Sequence, residues 1–505
     1  MKPHHPPSFF RPLRLLPLGL GLALLLTFFW TGQSLAQSLK SINTIQIQQS
    51  YQVYLDTAWV IFCSCLVFVM GIGFTLINMG FCRSKNAVNL LTQNLLTLAL
   101  TVLLFWGAGF ALMFGAGTPL FGTQGFWLRG LDNSPLTGLD YQGIFASLGW
   151  ASLPLQTKFF FQALLAAIAV GIVAGAVAER VHFLAFLLFS VFFLIFIYPV
   201  VGHWVWGDGW LGQGGFWDYG GAMVIHVVGG WSAFVGTVLI GPRLGKYRRG
   251  ESFALPAHNL PLAALGCLAV WLGWFGFNGG AGLSANPAVI THVLLVTNLA
   301  AATGGISALV MAWFYFGKPD LSVMINGILG GLVSITAVCR FVSLGWAGII
   351  GAIAGVLVVL AIDFFDRLEI DDPVGVLPVH LVCGLWGTLA VALFALGPDN
   401  KLGNDFILYS LGPSQGLLLG GGIMALKQLL IQLLGIASVS FLVLLFSWFG
   451  WMVLDVTVGL RVSAEAELRG LDLSEHGLTA YSGFILKQDS LSPNPSKPQG
   501  LLPPW

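Results

Sequence analysis

An all-α polytopic membrane protein, with eleven transmembrane helices in a 5+5 inverted repeat behind a cleaved signal peptide, is the fold this sequence predicts. Three observations carry that expectation. Charge is scarce, apolar runs of spanning length recur, and two sets of polar residues reappear at matching offsets. Of 505 residues, 56% are hydrophobic and 9% charged, where a soluble domain carries about 25% charged residues. Mean hydropathy is +0.85. The formal net charge of +1 offers no electrostatic footprint for nucleic acid.

The first segment is a targeting element. Arg11 and Arg14 precede an apolar run from Leu15 to Trp30, followed by Ser34-Leu35-Ala36-Gln37. A basic start, a short apolar centre and small residues at −3 and −1 make a secretory signal peptide. Cleavage is expected after Ala36, so 1–36 are removed; the alternative is an uncleaved first helix. Residues 37–56 then form an extracytoplasmic segment. Eleven apolar segments follow, near 57–79, 91–114, 158–178, 183–202, 219–241, 260–280, 288–316, 322–341, 346–364, 375–396 and 430–455. Each is close to the roughly 20 residues a spanning helix needs. Spans 1–5 occupy 57–245, spans 6–10 occupy 246–396, and span 11 with its preceding loop occupies 397–455. Residues 456–505 form a cytoplasmic tail, Pro-rich from Pro493.

Eleven spans starting outside end inside, and the basic residues agree. Thirteen Lys and Arg fall in the inside regions and six in the outside ones, with a dense cluster from Arg243 to Arg249. The positive-inside rule therefore places the mature N-terminus outside and the C-terminus in the cytoplasm of a multi-pass inner-membrane protein. The six cysteines show neither a disulfide framework nor zinc spacing, and read as small apolar packing residues.

The repeat is visible in two pairs of segments. Asp218-Tyr-Gly-Gly-Ala-Met-Val-Ile-His226-Val-Val-Gly-Gly230 aligns with Asp372-Pro-Val-Gly-Val-Leu-Pro-Val-His380-Leu-Val-Cys-Gly384. Gly73, Asn78, Gly80, Ser84 and Asn86 align with Gly273, Asn278, Gly280, Ser284 and Asn286. Spans 1 and 5 thus correspond to spans 6 and 10. Five spans separate each pair, so the halves enter the membrane in opposite senses, as in many transporters.

That symmetry singles out His226 and His380. Each lies eight residues beyond an Asp, about two helical turns into its span. Imidazole at bilayer depth is costly unless it faces a partner or a water-filled path. A symmetry axis in the membrane plane lets two equivalent histidines meet near the midplane. Neutral imidazole offers one donor and one acceptor nitrogen. A touching pair therefore suits a small polar guest that both donates and accepts, and it can relay a proton. A bare metal ion suits it less, since no carboxylate stands beside it. His182, His203, His258, His292 and His476 read as structural or solvated, and His4 and His5 belong to the signal.

Asp218 and Asp372 open their spans, where a carboxylate caps orphan N–H groups; Asp218, at the outer face, can also bias the entrance towards cations. The Trp-rich stretch from His203 through Trp206 and Trp210 to Trp217 is either an interfacial aromatic belt or a cation–π site for an ammonium-like ion. Trp274-Phe-Gly-Phe277-Asn278 is open between packing and pore lining.

Together these motifs resemble one family. Asp218…His226 with Gly-Gly-Trp, Trp274-Phe-Gly-Phe-Asn278, Asp371-Asp-Pro373…His380…Cys383-Gly384 and Gly459-Leu-Arg461…Gly470-Leu-Asp…Ser474-Glu-His-Gly477 look like the ammonium transporters (Amt/Mep/Rh), of a divergent bacterial Amt type. Arg83-x-Lys85-Asn86 and Ala178-Glu-Arg180 also fit, and the resemblance covers about residues 51–484. It implies a homotrimer in membrane lipid with one narrow pore per subunit, lined by His226, His380, Trp274 and Phe277. It implies an outer recruitment site at Trp206 with Phe161 nearby, supported by Asp218. Phe277 corresponds to one of two stacked gate phenylalanines. The implied substrate is ammonium or ammonia, and many members are blocked by a PII-type signalling protein at the cytoplasmic mouth. No cofactor or metal is implied.

Four departures stand out. The second gate Phe falls at Leu165 and the recruitment-site Ser at Ala281. Thr75-Leu-Ile-Asn-Met-Gly80 replaces an aromatic pair before Gly-Gly, and Tyr219-Gly-Gly221 stands where Phe-Ala-Gly is commoner. Alternative functions are a neutral-gas pore of the Rh type, an altered-substrate member, or an ammonium sensor with little flux, against which stands the lack of a signalling domain after span 11. No nucleophile–base set or metal cluster points to an enzyme.

Overall fold

The computed structural model describes residues 44–402, 406–407 and 409–481. The expected signal peptide, its expected cleavage site and the Pro-rich end of the tail lie outside the described residues. The chain divides into two compact units, Met1–Leu55 and Asp56–Trp505. Within the first, the described residues 44–55 are helical. They begin helix α1, Thr44–Phe81.

The second unit is a bundle of apolar helices, because nearly every long segment lacks the charge needed to face water. After α1 come α2 (Ser84–Phe114), α3 (Leu155–Val177), α4 (Phe183–Gln213), α5 (Ala222–Ile240), α6 (Leu260–Gly280), α7 (Pro287–Phe316), α8 (Leu321–Thr336), α9 (Leu344–Arg367), α10 (Leu377–Phe394) and α11 (Gly422–Thr457). Short helices α12 (Ala464–Arg469) and α13 (Leu471–His476) follow. Ten helices among the described residues are long and apolar enough to cross a membrane; α8, with 16 residues, falls short of that length. The chain is a multi-pass membrane protein.

Some boundaries differ from those read in the sequence. The eighth apolar run extends to Phe341, but its last residues form a turn in which Val338 N–H donates to Ile335 O. Hydropathy cannot distinguish a buried apolar turn from a helix end. Helix α11 begins eight residues before the expected 430, so Lys427 lies within it rather than in a loop. Lys158, read as the outer edge of a span, is 1% exposed and donates from Nζ to Leu148 O at 2.8 Å.

Glycine sets the closest crossing, between α1 and α6. A Cβ on Gly73 would stand 2.7 Å from Gly266 O, and one on Gly273 would stand 2.7 Å from Leu66 O. Backbones can approach this closely only without side chains between them.

Candidate functional site

Two matching aspartate caps place the histidines. Before α5, Asp218 Oδ1 accepts from Gly221 and Ala222 N–H, both at 2.9 Å, and Oδ2 accepts from Met223 and Val224 at 2.9 and 3.0 Å. Before α10, Asp372 Oδ1 accepts from Val374 and Gly375 at 3.3 and 3.0 Å, and Oδ2 from Leu377 at 2.7 Å. Gly221 (φ 101°) and Gly375 (φ 87°) each turn the chain at the third residue past the Asp. Burial raises both carboxyls above their ordinary values, opposed by these backbone donors. The capping expected at both sites is what the carboxylates do.

Each cap leads into a π-helical turn, Ala222–Val227 and Leu377–Val382, and each turn carries one histidine. Such turns widen the helix and recur at functional sites. They bring His226 Nδ1 to 3.1 Å from His380 Nδ1, with ring centroids 5.1 Å apart and planes 22° apart. His226 is fully buried and His380 is 4% exposed. Trp274 stacks on His226 at 5.1 Å, fixed by an Nε1–H bond to Thr336 Oγ1 of 2.9 Å. Phe277 lies 5.7 Å from His226. On the other side Phe74 lies 5.7 Å from His380. His226 Nε2 is buried without a protein partner among the described residues.

A second group lines an open cavity of ≈ 520 Å³ at one end of the bundle. Trp206, Phe161, Asp218, Ala281 and Leu165 all face it. Trp206 is held by its Nε1–H bond to Asp218 O at 2.7 Å. The expected site residues thus form two clusters, one around the histidine pair and one at this mouth.

Sequence reasoning missed four neighbours. Gln162 lines the mouth, and its Oε1 has no protein partner among the described residues. Tyr219 and Arg340 line it too, with the guanidinium 5.9 Å above the Tyr219 ring. Tyr219 was visible as a departure next to Asp218. Neither Arg340 nor Phe74 carried any signal in spacing, because only the folded packing brings them to a site.

Four other described histidines have polar partners. His203 rests between Met113 O and Thr118 O at 2.9 and 2.8 Å, and His292 Nε2 lies 2.9 Å from Val342 O. His258 contacts Cys82 O and the Tyr481 hydroxyl, and His476 contacts Asn89. Five cysteines are buried, whereas Cys65 is exposed and packs in no core.

The other end of the bundle is tied by buried ions. Arg243 donates to both oxygens of Asp371, Nε to Oδ2 at 2.8 Å and a terminal nitrogen to Oδ1 at 2.9 Å. It also reaches Glu179 at 3.1 Å, which pairs with Arg83 Nε at 2.7 Å. Burial pushes the Asp371 carboxyl up, but Arg243 more than offsets it and holds it well below the usual range. Arg243 and Arg83 do the same for Glu179 against the same burial. Asp371 stands beside the Asp372 cap, so this cluster anchors the approach to α10.

Comparison with known proteins identifies the family of this chain. The model of the Ammonium Transporter Family matches residues 58–481. Ammonium transporter Amt2 of Archaeoglobus fulgidus is 35% identical over 88% of this chain and 92% of its own. Ammonium transporter 1 member 3 of Solanum lycopersicum is 32% identical over 85% and 93%. Among solved structures, one described as a Sensor Amt Protein superposes with TM-score 0.74 at 35% identity, covering 85% of this chain and 99% of that one. Mep2 of Saccharomyces cerevisiae superposes with TM-score 0.71 at 27% identity, covering 83% and 89%.

Proposed function

This chain belongs to the Ammonium Transporter Family, and from that premise we propose that it conducts ammonium through a pore whose centre is the His226–His380 pair. Its relatives are transporters, and it is not an enzyme. The observation that carries the proposal is the 3.1 Å contact between the two Nδ1 atoms. In a neutral pair one Nδ1–H donates to the other Nδ1. The donating ring then has an acceptor Nε2, and the accepting ring carries its proton on Nε2. The pair thus presents an acceptor and a donor. Ammonia can satisfy both, because it has N–H groups and a lone pair. Ammonium has no lone pair and would face an N–H head-on. Burial also opposes carrying its charge past the pair. Ammonium therefore gives up its proton before passing, and the rings can relay that proton by exchanging tautomers.

At the mouth, Trp206 and Phe161 supply cation–π faces, and Asp218 holds the indole through its carbonyl. Eleven spans, with α8 counted among them, form the 5+5 inverted repeat, which the paired Asp caps and π-helical turns support. The signal peptide leaves after Ala36, the mature N-terminus lies outside the inner membrane, and the tail is cytoplasmic. Three chains form a trimer in lipid, open to a PII-type protein at the cytoplasmic mouth. Mass spectrometry of the purified protein is expected to find Gln37 as the first residue; retention of residues 1–36 contradicts cleavage.

Leu165 gives the mouth no aromatic face, and Ala281 gives it no hydroxyl. A ring over a cation contributes about 0.5–2 kcal/mol. A hydroxyl accepting from a charged donor contributes about 1.5–3 kcal/mol, less where water replaces it. At about 2–3 kcal/mol together, the double change Leu165→Phe and Ala281→Ser is expected to tighten apparent ammonium affinity roughly 30- to 150-fold. Uptake measured against ammonium concentration checks this. Unchanged affinity assigns the site to Gln162 or Tyr219 instead. One observation favours a second reading: the 35% identity to a solved structure described as a sensor. On that reading the same pair and mouth bind ammonium and little passes. Measuring ammonium-dependent flux in reconstituted vesicles tests the proposal and separates the two readings.

A further inference from the structure

Helices α1, α2 and α3 leave a groove of ≈ 110 Å³ between them, distinct from the mouth cavity. Its inner wall is Val67, Leu98, Leu164 and Ile168. Its rim carries Phe68, Ile72 and Leu95, which are 45%, 48% and 66% exposed. Two glycines hold it open. A Cβ on Gly71 or on Gly171 would meet nothing within 4 Å. Glycine is less favourable than alanine inside a helix, and no neighbour requires these two. What they provide is room.

The groove ends against the proposed pore. Phe74 and Gly171 line it on one side, and on the other they line a small cavity of ≈ 20 Å³ that also touches His380. The Phe74 ring is 5.7 Å from the His380 ring.

We propose that this groove is a binding site for an acyl chain of a bilayer lipid, which seats against Phe74 and braces the wall beside His380. The rim residues belong to helices long and apolar enough to cross a membrane, and wherever no second copy covers them they face hydrocarbon. Of the polar residues in the groove, Thr75 and Asn94 bond back to Gly71 O and Leu90 O of their own helices, at 2.9 and 2.8 Å. Thr97 leaves one unpartnered hydroxyl, too little to hold a hydrated headgroup or a second polar surface. A methylene chain fits these apolar walls, where it is held by close dispersion contacts, since a lipid tail is as apolar as the side chains that line the groove. The bracing of His380 rests on the pore reading above; occupancy of the groove does not.

The test reconstitutes the full-length protein in vesicles containing phosphatidylglycerol with a diazirine at mid-chain. After photolysis, lipid adducts are expected on residues 67–75, 94–98 and 164–171. Gly71→Leu fills the groove and displaces at least two methylenes. Adducts there should be lost, with adducts elsewhere unchanged. Gly71→Ala, which adds only a methyl group, should give a smaller drop in the same place and serves if the larger variant does not fold. Adducts absent from these segments, or undiminished in both variants, overturn the proposal. So does chain-to-chain crosslinking from a photoreactive residue at position 95, which would make a second copy the occupant. Lipid contact is read rather than flux, so this result stands apart from whether ammonium is conducted.

Discussion

Replacing His380 with alanine is expected to lower ammonium flux in reconstituted vesicles by roughly 5- to 150-fold, the equivalent of about 1–3 kcal/mol for a buried polar group left unpaired. His226 is fully buried, and its Nε2 already has no protein partner. Without His380 its Nδ1 loses its partner as well. Nothing then presents an acceptor and a donor together to the guest. The variant should elute from size exclusion like the wild type, because among the described residues His380 forms no ion pair and its ring contacts are to His226 and Phe74. His226→Ala should act similarly and also strip the stacking partner from Trp274. Full wild-type flux in either single variant would contradict the paired mechanism.

Asp371→Asn is expected to destabilise the folded protein by about 3–5 kcal/mol, since it leaves Arg243 buried without its bidentate partner. Arg243 is 5% exposed and Asp371 is 1% exposed, so water cannot replace the lost contact. The same cluster fixes a pH dependence. Asp371 and Glu179 both sit below their ordinary values in the fold. Their stabilisation is present in full above the unfolded carboxylate pKa values of about 4, and it is lost as pH falls through the lower folded values. The melting temperature in detergent should therefore drop between pH 7 and pH 3. In Asp371→Asn it should start lower at pH 7 and fall less. Equal melting temperatures at pH 7 would show that the pair contributes nothing.

The helices and both aspartate caps were legible because they depend on local chemistry. Apolar runs must bury their backbone polar groups as helix, and an Asp ahead of such a run caps it. The pairing of His226 with His380 was legible through the matching offsets from Asp218 and Asp372. The turns themselves were not. Nothing in Ala222–Val227 or Leu377–Val382 announces a π-helical turn. The short α8 was hidden because the apolar residues after Thr336 continue the hydropathy signal through a turn. At the mouth, Trp206 and Phe161 came from resemblance, and Gln162 and Arg340 came only from the fold. Phe74 illustrates the limit: its importance lies in touching His380 across 306 positions of sequence, and no spacing encodes that.

The central claim is that this chain passes ammonium through the histidine pair rather than merely holding it. The most direct measurement is ammonium-driven flux in vesicles containing the purified wild-type chain, read with an internal pH dye and compared with empty vesicles. The account predicts a saturable, protein-dependent flux that Ala in place of His226 or His380 reduces. Ammonium binding to the protein with flux no greater than that of empty vesicles would contradict it.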